Sequence, residues 1–227
     1  VMIRSIEFTL LFSAFLLVLL SCQKEKEAAG PDLPPDTPPD TNVTAGVYAG
    51  VYDSTFDYHL FDPPFTITVT WDTLNLYGFG SDSLDLGADG DYDLLLHLAK
   101  INPDSVHLLN GMPNPFPYCK LHAQGNLEIA TYSESYPIGQ GQTGTAVFAD
   151  RLDHGENIDS IPDWQTGDIK MWGENPGGAG TPPFGDWYYA GSENYLAIRV
   201  NGNRFGWIRM DGEDPKNPAI VSYAIRK

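Results

Sequence analysis

The dipeptide Asn201-Gly202, between two alternating apolar runs at 195–200 and 203–210, constrains this chain more than any other feature. A tight type I′ turn needs positive φ at both central residues, which Asn and Gly tolerate best, so a β-hairpin is expected here. Closing it as a two-residue turn puts Ile198 opposite Phe205 and Leu196 opposite Trp207 on one face. Ala197 then meets Gly206, and Tyr195 meets Ile208, on the other. Arg199 and Arg204 become neighbours, which costs stability unless carboxylates approach them.

From residue 46 onward no stretch carries the 3.6-residue period of an amphipathic helix; alternation and turn residues dominate. Phe65, Ile67, Val69 and Trp71 alternate with Thr66, Thr68 and Thr70, as in a half-buried strand. Leu94, Leu96 and Leu98 alternate with Leu95, His97 and Ala99, which predicts a strand covered on both faces. Leu127 with Ile129 and Ala146 with Phe148 mark shorter strands, and residues 220–225 a last one. Residues 162–191 are rich in Gly and Pro and read as largely loop. The expectation is an all-β chain, a single β-sandwich or jelly-roll-like domain over 46–227. The runs Ala149-Asp150-Arg151-Leu152, Gly155-Glu156-Asn157-Ile158, Tyr195-Leu196-Ala197-Ile198-Arg199, Phe205-Gly206-Trp207-Ile208-Arg209 and Tyr223-Ala224 look like a pattern recurrent in secreted proteins. That resemblance implies a β fold and no particular activity.

At the other end, an apolar run from Phe8 to Leu20 follows Arg4 and stops at a small residue, the pattern of a secretory signal peptide. It falls short of the roughly 20 residues a spanning helix needs. Leu19-Leu20-Ser21-Cys22 resembles a bacterial lipobox, which implies a signal peptide at 1–21 and acylation of Cys22. Gln23-Lys24-Glu25-Lys26-Glu27 resembles the surface-export signals of Bacteroidota-type lipoproteins, which implies an exported protein on the outer membrane, facing outward. Pro34-Pro35-Asp36-Thr37 repeats as Pro38-Pro39-Asp40-Thr41, so 22–45 reads as a lipidated N-terminus on a semi-rigid, proline-rich, disordered tether. Acylation would leave Cys119 as the second of two cysteines and no intramolecular disulfide.

The formal net charge of -17 sets the field around the molecule. Such a surface repels DNA and RNA, so nucleic acid is excluded as a partner. It also makes attachment to anionic lipid depend on acyl chains. Cations, neutral sugars and surface proteins remain as partners. With 42% hydrophobic and 12% aromatic residues the chain can bury a core without disulfides.

Two clusters stand out as sites. Asp85, Asp89, Asp91 and Asp93, with Asp82 nearby, crowd carboxylates around Gly87 and Gly90. Ca²⁺, which takes six to eight oxygens in a flexible loop, is the cofactor such residues suit, although no closing Glu stands at the EF-hand distance; the plainer alternative is an Asp-Gly turn between strands. Trp164, Trp172, Trp187, Tyr188 and Tyr189, with Asp163, Asp168, Glu174 and Asp186 close by, could form a sugar-stacking platform or simply pin a loop to the sandwich. Gly139-Gln140-Gly141-Gln142-Thr143-Gly144 matches GxGxxG without a βαβ context and reads as loop. The five histidines show no paired metal-ligand spacing, and no GxSxG elbow appears. Asp53-Ser54-Thr55, Asp72-Thr73-Leu74, Asp82-Ser83-Leu84, Asp104-Ser105-Val106 and Asp159-Ser160-Ile161 look like Bacteroidota O-glycosylation motifs. The expected function is a non-catalytic surface module for glycan or another extracellular ligand. A polysaccharide hydrolase using an acidic pair and a structural subunit of a surface assembly are the alternatives.

Overall fold

The computed structural model describes residues 46–227 apart from 73, 75, 88, 102–116, 140–141, 174–182, 192, 213 and 215–216. The signal peptide, Cys22, the tether, Glu174 and the motif at Asp104 lie outside the described residues.

Twelve strands follow one another among the described residues: β1 Phe56–Thr66, β2 Thr70–Trp71, β3 Tyr77–Leu84, β4 Leu94–Ile101, β5 Tyr118–Ala123, β6 Leu127–Gly139, β7 Gln142–Ala149, β8 Trp164–Gln165, β9 Gly167–Gly173, β10 Asn194–Val200, β11 Arg204–Asp211 and β12 Ala219–Arg226. The helical content among them is a single 3-10 turn at Asp186–Tyr189. The protein is therefore all-β. Hydrogen bonds link the strands in the order β1-β12-β11-β10-β6-β7-β9-β5-β4-β3-β2, with β8 beside β6.

The 13-residue strand β6 turns this continuous sheet into a sandwich. Its start, Leu127 to Ile129, pairs with β10, whereas from Thr131 onward it pairs with β7. Leu196, Ile198, Ile208 and Ile225 from one half-sheet thus share a core with Leu94, Leu96, Leu98, Leu121, Ile169 and Met171 from the other. The alternation at Leu94, Leu96 and Leu98 is borne out on that side, where all three are buried; Leu95 and His97 behind them are only half-buried.

The two free ends of the sheet are consecutive in the chain. Ile67, Thr68 and Val69 carry it from β1 on one half-sheet to β2 on the other. The Thr-interleaved run is thus split between two sheets, although its burial still alternates, with Ile67 buried and Thr66 and Thr68 exposed. Glycine makes the crossing possible. A Cβ on Gly80 would lie 2.5 Å from the Thr68 carbonyl oxygen, and one on Gly78 would lie 2.5 Å from Val69 Cγ1. At the β1 end, Pro63 and Pro64 fall where its pairing with β12 shifts register.

A second core covers the outer face of the β10-β11-β12 half. Tyr195, Ala197, Trp207 and Ala224 point there and meet Val47, Ala49, Leu152 and Ile158. Val47 N–H donates to Asp159 Oδ2 at 2.8 Å, and Ile158 N–H donates to the Val47 carbonyl at 2.8 Å, so these two segments form one strap. Trp207 Nε1–H donates to the Val51 carbonyl at 3.2 Å.

This second core corrects the hairpin register. The turn has three residues, 201–203, so Val200 pairs with Arg204 and Leu196 with Ile208, while Trp207 pairs with Ala197. A slip of one residue sends a side chain to the opposite face. Here Trp207 leaves the face of Leu196 and enters the second core. Asn201 and Gly202 do adopt positive φ, 54° and 73°, and the Asn201 N–H donates to the Asn126 carbonyl at 3.0 Å. The same slip separates the two arginines expected to be neighbours, since Arg199 pairs with Phe205 and Arg204 with Val200, and each meets a carboxylate of its own. Glu128 receives Arg199 bidentately, at 2.7 and 2.9 Å, and Asp57 lies 3.6 Å from Arg204. The reading of 162–191 as largely loop fails for one part of it, because β9 lies inside the sheet, between β7 and β5. Ile169 and Met171 supply its buried alternation, which the flanking Gly and Pro residues mask in the sequence.

Two predictions test this account. A Cβ on Gly206 would lie 2.3 Å from the Ala224 carbonyl oxygen, so Gly206→Ala should lower unfolding free energy by about 2–3 kcal/mol in a denaturant titration. Arg199 holds the Glu128 carboxyl below its ordinary value of 4.5. The pair's stabilisation is then present above that value and lost as pH falls through the lower folded one. Glu128→Gln should flatten the acid limb of the stability-pH curve.

Candidate functional site

Three turns meet at one end of the sandwich: the β3–β4 loop at 85–93, the β5–β6 turn at 124–126 and the β10–β11 turn at 201–203. Backbone hydrogen bonds hold them side by side. Gln124 N–H donates to the Asp93 carbonyl at 2.8 Å, and Asn201 N–H donates to that of Asn126. Between them opens a cleft of ≈ 600 Å³, lined by Asp89, Asp91, Tyr92, Asp93, Gln124, Asn126, Asn201 and Arg204 over Leu86, Val200 and Ile225. Ligand sites commonly run from about 300 to 1,000 Å³, so a few sugar rings would fit.

The aspartates divide into two groups. Asp93 Oδ2 accepts the Leu86 and Gly87 N–H groups at 2.8 and 3.1 Å. Asp85 accepts those of Asp89 and Gly90 at 3.3 and 2.8 Å, and Asp89 Oδ1 accepts that of Asp91 at 3.0 Å. These carboxylates shape the loop, with Gly90 at φ 94°. Asp82 is exposed and accepts the Ser83 N–H at 2.8 Å. Among the described residues no three His, Cys, Asp or Glu side chains converge in an arrangement that could hold a metal ion. The Asp85–Asp93 loop is built by its own amides, without a preformed cation cage. Asp91 and Tyr92, the latter 61% exposed, face solvent. Beneath the loop, burial and then the Asp85 and Asp93 carboxylates push the Tyr223 phenol up. Arg204 is steadied by its Nε–H bond to the Arg226 carbonyl at 2.9 Å.

The aromatic group lies elsewhere, and mostly inside. Trp172 is 1% exposed and Trp187 3%, with Trp187 Nε1–H donating to the Ala149 carbonyl at 3.0 Å. Tyr188 packs edge-on to Trp172. Trp164 is half-buried between Phe205 and the Arg199 guanidinium, 4.7 Å from its ring. Neither Trp172 nor Trp187 offers an open ring face, so these two rings of the expected sugar platform belong to the core. The Tyr189 side chain lies outside the described parts.

Sequence reasoning missed the cleft because its walls come from turns far apart in the chain. It also treated the histidines as isolated, yet β4 and β5 bring His97 and His122 to one sheet face. Cys119 is fully buried, with its thiol pushed up to about 12 by burial, so it is no nucleophile. The GxGxxG stretch sits at the β6–β7 hairpin, where 140–141 lie outside the described residues.

Asp93→Ala should release two amides and cost about 1–2 kcal/mol. Hydrogen exchange at Leu86 and Gly87 should accelerate, with the β10–β12 amides unchanged. No protein-family model, curated protein or solved structure matches this chain in the comparisons made.

Proposed function

We propose that this chain is an exported, lipid-anchored module that binds a neutral glycan in the turn-end cleft without catalysis. The observation that carries the reading is the cleft's lining. Carboxylates and amides of Asp89, Asp91, Asn126 and Asn201 stand beside the exposed ring of Tyr92. Sugar hydroxyls need acceptors and donors at close spacing, and the apolar face of a pyranose packs against an aromatic ring. The lipobox-like Leu19-Leu20-Ser21-Cys22 and the proline-rich stretch support surface display of the domain.

Titrating the protein with a panel of neutral oligosaccharides, followed by calorimetry, tests the reading. One glycan should bind saturably, and Asp91→Asn and Tyr92→Ala should each weaken it about tenfold. Repeating the titration in Ca²⁺ and in EDTA separates a cation at Asp85, Asp89, Asp91 and Asp93 from a loop held by amides alone. No heat with any glycan would remove the proposal.

A hydrolase is the second reading, favoured by Asp150. Burial first, then the charge of Glu156, raises the pKa of this half-buried carboxyl, a property of general acids. Release of reducing ends from a polysaccharide, abolished by Asp150→Asn, would replace binding with turnover.

A further inference from the structure

The outer face of the β4-β5-β9 half carries a row of basic side chains. Strand pairing sets Ser81 beside His97, His97 beside Lys120, and Lys120 beside Lys170. In the next row His122 stands between Leu95 and Asp168. Paired strands lie about 4.8 Å apart, so the three basic positions span about 10 Å.

Placing like charges opposite one another across a sheet costs stability. The chain has 30 Asp and Glu against 13 Lys and Arg, so acids to neutralise the row are abundant. Among the described residues the carboxylate paired with it is Asp168, which meets His122 Nδ1 at 2.6 Å and Lys120 Nζ at 3.2 Å, while Glu134 shares the Tyr136 face of β6 without an ion pair to Lys170. Lys170 instead sits 5.7 Å from the Tyr136 ring and 5.9 Å from that of Phe184, two rings stacked 4.8 Å apart. Cations beside an aromatic pair, on a flat and half-exposed surface, match a ligand with an anionic group on a ring that has an apolar face.

We propose that this face binds an acidic saccharide, with a uronate-type carboxylate held by Lys120 and Lys170 and the sugar ring lodged beside Tyr136 and Phe184. The surface is distinct from the turn-end cleft, and the proposal does not rest on the reading of that cleft. A long polyanion would meet the repulsion of a chain with net charge -17. A short one responds to the local row, because salt screens charges beyond about 8 Å at physiological ionic strength.

His97 gives the site a pH dependence. Burial chiefly, then Lys120, holds its imidazole below the ordinary value; His122 acts in the same direction and Asp168 opposes them. On β3 the neighbour across from it is the uncharged Ser81, and on β9 the charged groups are Asp168 and Lys170. A bound carboxylate favours the imidazolium, so ligand and proton bind together and affinity rises as pH falls.

The test is an NMR titration of the full chain in detergent with tri-galacturonate, and with neutral galactotriose as control. The acidic trisaccharide should shift the His97 and His122 ring signals, raise the pKa of His97 and bind more weakly in high salt. Lys120→Gln/Lys170→Gln, which removes the charges but keeps a polar side chain and the dispersed amide spectrum, should lose affinity at least about tenfold. Asp91→Asn should leave this binding unchanged, whatever it does to a glycan in the cleft. Equal shifts with galactotriose, unchanged affinity in the double variant, or no binding at millimolar ligand would each overturn the proposal.

Discussion

Trp207 sits in a half-sheet buried on both faces, and that double burial governs the rest of the domain. One face of β10, β11 and β12 meets the opposing half-sheet through Leu196, Ile198 and Ile208; the other meets the strap through Tyr195, Ala197 and Trp207. Neither layer can form alone, because stripping the strap would leave an indole and a phenol ring in water on a sheet already committed on its other side. A fully buried Trp contributes on the order of 3–5 kcal/mol by truncation, a large part of a domain's net stability. Gly206, immediately before it, keeps β12 close enough for both layers to be continuous.

Electrostatics works around that core. A chain with net charge -17 must spread its carboxylates, and among the described residues most of them sit in turns and loops. Where they are drawn in, each has a specific task. Glu128 meets the Arg199 fork, which also lies over the Trp164 ring. Asp159 fixes the strap through the Val47 amide. Asp85 and Asp93 satisfy the amides of their own loop, as a short acidic side chain does well. Charge therefore shapes turns here more than it stabilises through ion pairs, which at such exposure contribute little.

The fold class was legible in the sequence because alternation and turn residues need no long-range information. The hairpin at Asn201-Gly202 was legible in place but not in register. With apolar residues on both faces of β10 and β11, either register buries a hydrophobic set, and alternation alone cannot choose. What chooses is the second core and the Asn126 carbonyl, both distant in sequence. Strand β9 was hidden for a different reason, since composition averaged over 162–191 outweighs one buried Ile and Met. β1 likewise escaped notice behind Asp57, Asp62, Pro63 and Pro64. The acidic loop was legible as either a Ca²⁺ loop or an Asp-Gly turn between strands, whereas the cleft beside it depends on three turns meeting in space. The aromatic residues show the limit most plainly. A Trp in a Gly-rich stretch reads the same whether its ring is a ligand platform or, like Trp172, part of the core.

The crossing at Ile67–Val69 has a consequence for how copies of this molecule meet. An open sheet has two edges, and an unpaired edge is a template on which another chain can add a strand. Here both edges belong to one stretch of sequence. The β1 edge includes Pro63 and Pro64, which have no N–H to offer, and the β2 edge is two residues long. A single segment thus supplies the first and last strands of that path, with prolines in one and only two residues in the other, both unfavourable to strand addition.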